Sequence, residues 1–241
     1  MRGFVDIHSH FIYGLDDGAK TRREMETMLD AAHADGVVSL FATPHITPGV
    51  KPFDEAAYVS RLREARRYCM ERGYGMQLFS GAEILYTPVL PQYAGEHGLP
   101  TLGNSSFVLL EFVPQVELRE LEAALALMKR GGYTPILAHI ERYACLYRGR
   151  TAAKLKQRFE VCYQLNANTI LTKQGFFRTR KIRSWLKAGL VDFVASDAHD
   201  LNRRSTKMRR AFRVLEQQYD QRLAERLTGL SQAGRWGMER P

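Results

Sequence analysis

The chain has 241 residues, 45% hydrophobic and 25% charged, with 35 Lys+Arg against 26 Asp+Glu and a formal charge of +9. That apolar content excludes a disordered or collagen-like chain, and no Ser/Pro/Gly-rich linker divides it, so one domain over 1–241 is expected, with roughly the last 20 residues as a tail. Cys69, Cys145 and Cys162 are odd in number and have no CxxC spacing, which excludes a disulfide framework and a thiolate zinc knuckle.

The opening MRGFVDIHSH lacks the apolar stretch of a signal peptide. No apolar run approaches the ~18 residues of a membrane span, so a cytoplasmic protein is expected. The basic stretches 178–187 and 203–210 fit solvated faces of amphipathic helices or, alternatively, a phosphate-seeking surface.

In chain order, seven short β-rich runs are predicted: Phe4 to Ile7, Val37 to Thr43, Met76 to Ala82, Phe107 to Phe112, Thr134 to Ala138, Val161 to Asn166 and Val191 to Ser196. Helical spacing fills the gaps at Arg22 to Ala34, Glu55 to Arg72, Leu118 to Arg130, Thr151 to Phe159 and Phe177 to Ala188, with Gly36, Gly73, Gly131 and Gly189 as stop signals. Alternating β and α units imply a parallel sheet covered by helices, either open or closed.

The ionisable residues favour closure. His8 and His10 follow the first run, His45 the second and Glu83 the third; Glu111 lies in the fourth, His139 follows the fifth, and Asp197 with His199 follows the last. Residues at the carboxyl ends of many strands converge only on the mouth of a ring, so a distorted (β/α)7 TIM-like barrel is expected. The remaining histidines, His33 and His97, fall in a helix and a loop of this reading.

His8-Ser9-His10 puts two imidazoles on one side of a strand, where they can grip one cation. Singly, His45, His139 and Glu83 also fit a capped histidine, a helix N-cap or a buried salt bridge. Asp16-Asp17-Gly18 reads as a turn before a helix, and beside the histidines it also offers a carboxylate ligand. Together the set is nitrogen and carboxylate oxygen without thiolate, which suits Mn²⁺, Fe, Zn²⁺ or Mg²⁺. About nine candidates exceed what one ion uses, so two or three divalent ions and hydrolysis of a phosphate ester are expected.

Other mechanisms find no support. No cysteine has an arginine six positions on, and HExxH, GxSxG and GxGxxG are absent. Gly14 to Thr21 resembles a Walker A loop but is one residue short and places acids where phosphate would sit.

DIHSH, DDGAKT, ATPH, GAE, LLEF, AHIERY and SDAHDLNRR, in this order over about residues 4 to 217, resemble the PHP (polymerase and histidinol phosphatase) superfamily. More narrowly they resemble its CpsB/CapC-type protein-tyrosine phosphatases, bacterial metal-dependent enzymes of capsular and exopolysaccharide synthesis. The resemblance implies a trinuclear site. His8, His10, Glu83 and Asp197 would hold one ion, Glu83, Glu111 and His139 a second, and Asp17, His45 and His199 the third, manganese being the first expectation. Arg142 and Arg204 match arginines that meet the substrate phosphate, and Asp6 would orient a ligand. A metal-bridging hydroxide is the expected nucleophile, with no covalent intermediate and no dedicated general acid.

The implied partner is a phosphotyrosine protein, an autophosphorylating bacterial tyrosine kinase, with no obligate nucleic acid and no membrane span; a homo-oligomer is compatible with this reading. The tail ending QAGRWGMERP lacks the Asn-Pro segment of the family's last helix. Two other readings stand beside this one: a phosphatase of a small phosphomonoester such as histidinol phosphate or a nucleotide, and a non-catalytic metal-binding or nucleic-acid accessory module.

Overall fold

A computed structural model describes residues 3–230. Nine strand segments appear: β1 (Phe4–Ser9), β2 (Val37–Ala42), β3 (His45–Ile46), β4 (Gln77–Ser80), β5 (Glu83–Leu85), β6 (Phe107–Glu111), β7 (Thr134–Leu137), β8 (Cys162–Asn166) and β9 (Phe193–Ala195). All pairings are parallel, in the orders β1-β2-β4 and β3-β5-β6-β7-β8-β9.

These nine segments make seven staves, because the second and third predicted runs are each followed, after a short break, by an upper segment that the sequence reading did not include. Pro44 separates β2 from β3, and Gly81-Ala82 separates β4 from β5, so the lower halves of these staves pair β2 with β4 and the upper halves pair β3 with β5. A proline cannot donate to a ladder, and a Cβ on Gly81 would come within 2.7 Å of Leu102, so both breaks have a local cause. His45 and Glu83, expected after strands, instead open the upper segments and are register partners.

The ring closes between its last and first staves only at their carboxyl ends. Ser9 bridges Ala198, the Asp197 amide donates to His8 O at 2.9 Å, and the His10 amide donates to Ala198 O at 2.8 Å. Lower down, the Val5 amide donates to Thr228 O at 3.0 Å, so the segment after the last helix covers that part of β1. This is the distorted barrel that the sequence predicts.

The helices are α1 (Arg22–Asp35), α2 (Glu55–Glu71), α3 (Leu90–His97), α4 (Leu118–Arg130), α5 (Thr151–Phe159), α6 (Ala167–Leu171), α7 (Phe176–Lys187), α8 (Met208–Gln218) and α9 (Gln221–Leu227). Thr21 caps α1 by accepting from the Glu24 amide at 3.2 Å, and Asp54 caps α2 by accepting from the Ala57 amide at 2.9 Å. Gly36 ends α1 in the left-handed region, as expected, whereas after α4 that conformation belongs to Gly132 and not to Gly131. His97 ends a helix, α3, where a loop was expected. Of the tail, 231–241 lies outside the described residues.

Two apolar clusters hold these layers. Val5, Ile7, Phe41, Leu109, Ile136 and Ala195 come from five of the seven staves and meet inside the ring. The larger cluster joins outward strand residues such as Leu40, Leu110 and Val194 to helix residues such as Met25, Leu29, Leu121 and Trp185. No helix among the described residues is long and apolar enough to cross a membrane.

Candidate metal centre

Above the inner cluster, at the carboxyl ends of the staves, the apolar filling stops. His8, His10, Glu83, His139, Asp197 and His199 are all buried there. The pairing of β1 with β2 shifts register between Asp6 and Ser9, so strict alternation breaks where the imidazoles begin; such irregularities re-aim side chains at barrel rims. His139 and Asp197, each two residues past the end of its strand, β7 or β9, have φ of 33° and 53°. A left-handed backbone without glycine costs about 1–3 kcal/mol per residue, and such strain concentrates at functional sites.

Among the described residues, three groups of side chains could hold a metal ion: His8, His10, Glu83 and Asp197; His10, Asp17, His45 and His199; and His45, Glu83 and Glu111. His139 Nε2 lies 2.9 Å from Glu83 Oε1 and 3.3 Å from Glu111 Oε1, which brings it to the third group. All nine predicted ligands therefore meet in one place. The groups are more entangled than expected from the sequence, since His10 joins the first to the second and His45 the second to the third.

The donor chemistry fits divalent cations. Glu83 Oε2 is buried with no hydrogen-bond partner, yet three ring nitrogens surround it: His8 Nε2 at 3.1 Å, His10 Nε2 at 3.3 Å and His45 Nδ1 at 3.1 Å. His8 Nε2 and His10 Nε2 face each other at 3.1 Å, so one must donate to the other unless a cation takes both lone pairs. His199 Nε2 is likewise buried without a hydrogen bond, 3.2 Å from Asp17 Oδ1. Unpaired buried polar atoms cost several kcal/mol, and a shared cation removes that cost.

Protonation follows the same crowding. Burial disfavours the charged form of His8, but Glu83 and Asp197 outweigh it and lift its pKa to about 9. For His45, the bond to Asp17 and the charges of Glu83 and Glu111 overcome burial and give about 9. Burial would raise Glu83, yet His8, His10 and His139 hold it well below the usual carboxylate range. Hydrogen bonds from His199 and His45 hold Asp17 well below its ordinary value.

A second ring of polar groups aims the first. Asp16 Oδ2 lies 2.8 Å from His10 Nδ1 and accepts from the His45 amide at 3.0 Å, which turns His10 Nε2 toward the cluster. Gln164 Oε1 lies 3.3 Å from His8 Nδ1 and accepts from the His139 amide at 2.7 Å. Gln164 Nε2 donates to Asn166, whose Nδ2 donates to Asp197 Oδ2 at 2.7 Å. Gly18 lets the DDGA loop fold onto His10, because a Cβ there would sit 2.0 Å from His10 O.

Asp6 does not take the expected role. Its Oδ1 accepts from the Ser196 amide at 2.9 Å and, at 3.4 Å, from the His8 amide, so its hydrogen bonds tie the segment after β9 to β1 through backbone donors and not through a ring nitrogen. The imidazoles are oriented by Asp16 and Gln164, which were not singled out for that role from the sequence. β8 was the one predicted run with no ionisable residue at its end; its alternating amides, Gln164 and Asn166, were the available signal.

Arg142 and Arg204 reach the rim. The Arg142 guanidinium donates to Asp197 Oδ2 at 2.9 Å, and Arg204 spans both Asp197 oxygens at 3.0 and 3.1 Å and Asp17 Oδ2 at 3.2 Å. Each side chain is 36% exposed, so solvent and solutes reach it. Beside Asp17 and His45 opens a cavity of about 500 Å³ with Leu15, Pro52 and Phe53 on its apolar wall and Lys51 at its edge.

The family model described as "Capsular polysaccharide synthesis, CpsB/CapC" matches residues 4–232. The chain belongs to the CpsB/CapC family. It is 29% identical over 230 residues to the tyrosine-protein phosphatase CpsB of Streptococcus pneumoniae, covering 92% of this chain and 94% of that protein. To the tyrosine-protein phosphatase YwqE of Bacillus subtilis strain 168 it is 25% identical over 228 residues, covering 93% and 88%. A solved structure from work on YwqE of B. subtilis and CpsB of S. pneumoniae, described as unique metal-dependent tyrosine phosphatases, matches with a TM-score of 0.82 at 27% identity, covering 93% of this chain and 91% of the other. Histidinol phosphate phosphatase from Lactococcus lactis subsp. lactis Il1403, solved with zinc, L-histidinol and phosphate, shares the fold at a TM-score of 0.56 and 12% identity, covering 95% and 98%.

Proposed function

We propose that this CpsB/CapC-family chain is a metal-dependent protein-tyrosine phosphatase. The observation that carries this reading is the meeting of nine nitrogen and carboxylate side chains in one cluster, the buried, hydrogen-bond-free Glu83 Oε2 among them, together with relatives named tyrosine-protein phosphatase along almost the whole chain. His8, His10, Glu83 and Asp197 would hold one ion, Glu83, Glu111 and His139 a second, and Asp17, His45 and His199 a third, with His10 and His45 placed to be shared. Bound divalent ions lower the pKa of water to about 7 and neutralise charge on a phosphoryl group.

The chain's own residues do the rest. Asp16 and Gln164 keep His10 and His8 in the tautomer that presents Nε2. Arg142 and Arg204 stand where five N–H donors each can meet phosphoryl oxygens, exchanging their carboxylate partners for substrate. The apolar wall of Phe53 and Pro52 suits an aromatic leaving group, and its cavity lies within the usual range for ligands of about 300–1,000 Å³. A tyrosyl oxygen, with a pKa of about 10, leaves with less proton assistance than an alkoxide.

Manganese is the proposed metal ahead of iron, zinc or magnesium, the proposed substrate a phosphotyrosine protein such as an autophosphorylating tyrosine kinase, and the proposed location the cytoplasm. The test is hydrolysis of a phosphotyrosine peptide against histidinol phosphate, with Mn²⁺ and after complete chelation. The peptide is the better substrate and turnover stops on metal removal; activity that survives chelation refutes the mechanism, and preference for histidinol phosphate refutes the substrate.

A further inference from the structure

Away from the metal centre, α7 presents an unusual surface. Phe176 and Phe177 are 75% and 84% exposed, and their rings meet edge to face at 5.5 Å. Single exposed apolar residues are ordinary, but a contiguous aromatic pair is not. At i+4, i+7 and i+11 from Phe176 stand Arg180, Arg183 and Lys187, all exposed, which makes one solvent-facing stripe with the pair at its head. Lys173 precedes it, and between Glu160 and Asp192 there is no acidic residue. The groove beside the stripe, about 720 Å³, is lined by Lys173, Phe176, Arg180, Arg183 and Lys187.

The opposite face of α7 is fixed. Ile182, Trp185 and Leu186 are buried against the barrel, so the helix is a rigid platform. It follows β8 through the short α6, and the connection leaves β8 at Asn166, which touches Asp197 at the mouth end of the ring.

We infer that the head and outer stripe of α7 dock on an anionic phospholipid bilayer. The stripe from Phe176 to Lys187 is straight and roughly 16 Å long at 1.5 Å per residue, a shape that suits a plane. The cations meet anionic headgroups, and the protruding apolar rings enter the boundary between headgroups and acyl chains, where the apolar face of an interfacial helix inserts. Neither part suffices alone, since stable peripheral anchoring takes two signals, here aromatic insertion and basic charge. A second copy is a poorer occupant, because a two-fold contact would set the cationic row against itself. A protein partner would have to supply a receiving groove for the aromatic pair, which a headgroup layer provides without one.

Co-sedimentation of the full chain with vesicles tests this. It binds phosphatidylcholine vesicles containing about 30% phosphatidylserine in about 0.1 M salt, not phosphatidylcholine alone, and weakens at least tenfold near 1 M salt, where screening is complete within ~3 Å. Phe176→Ser with Phe177→Ser weakens binding at least tenfold and leaves thermal unfolding unchanged. Arg180→Glu with Arg183→Glu abolishes it, while the same charge change at exposed Arg63 and Arg67 on α2 does not.

No binding to the anionic vesicles overturns the inference. So does full binding by the phenylalanine variant, or equal loss from the α2 variant; either would mean that net charge alone is responsible. Self-association of the parent chain that the phenylalanine variant lacks, without vesicle binding, assigns the surface to a second copy instead.

Discussion

Phe41 and Leu109, midway down the ring, and Glu83 and His139, at its carboxyl-terminal end, are equally sealed from solvent. The lower pair fills space with groups that need no partner, and the inner cluster is complete as it stands. The upper pair sits among donors that leave Glu83 Oε2 and His199 Nε2 unmatched and is approached by a backbone strained at His139 and Asp197. One end of the cavity is therefore finished by the chain itself, and the other is finished by what it binds. The two ends should fail differently when perturbed.

The largest effect is expected at the upper end. Chelation should reduce phosphotyrosine turnover to background, and readdition of Mn²⁺ should restore it. His139→Ala should lower kcat by about 10³-fold or more, since a misplaced cation forfeits several kcal/mol of charge stabilisation. Bound metal, measured on the same sample, should fall with it; a near-normal rate would remove His139 from the centre.

The lower end should show the reverse. Phe41→Ala, which deletes a fully buried ring stacked on Phe79 at 4.8 Å, should cost about 3–5 kcal/mol in urea unfolding while the folded fraction keeps its metal and specific activity. Gln164→Ala, which removes the partner of the candidate ligands His8 and His139, should lower metal affinity or activity by about 10–100-fold. If it matched His139→Ala in size, the division between holding and aiming residues would be wrong.

The smallest effect concerns pH in the metal-free protein. His8 and His45 have folded pKa values of about 9, above the ordinary 6.5. Their contribution to stability is full below pH 6.5 and is lost as pH rises through 9, so the metal-free chain should melt lower at alkaline pH, by a few degrees for a chain of this size. Saturating Mn²⁺ should abolish that decline, because it binds the deprotonated rings.

The convergence of the candidate ligands could be read from the sequence because barrel topology converts a one-dimensional regularity, an ionisable residue at nearly every strand end, into a point in space. His8, His45, Glu83, His139 and Asp197 were legible for that reason. Gln164 and Asn166 were not, since neutral amides carry no charge signature and their value depends on which ring lies opposite. The breaks at Pro44 and Gly81 are local in cause, but only the pairing of β3 with β5 shows that His45 and Glu83 are neighbours. Asp6 misled because adjacency to HSH suggested a ring partner, whereas the register shift in β1 leaves its carboxylate on the Ser196 amide.

That last bond joins positions 190 apart in the chain, and it lies at the seam between the last and first staves of the ring. During synthesis at about 5–20 residues per second, β1 would wait roughly 10–40 s for the strand that becomes its neighbour. Until then its edge amides and both histidines have no finished pocket, and Thr228, which accepts the Val5 amide, arrives later still. A nascent chain stalled before β9 would thus display an unpaired parallel edge, so arrest in that window should create the aggregation-prone species of this fold.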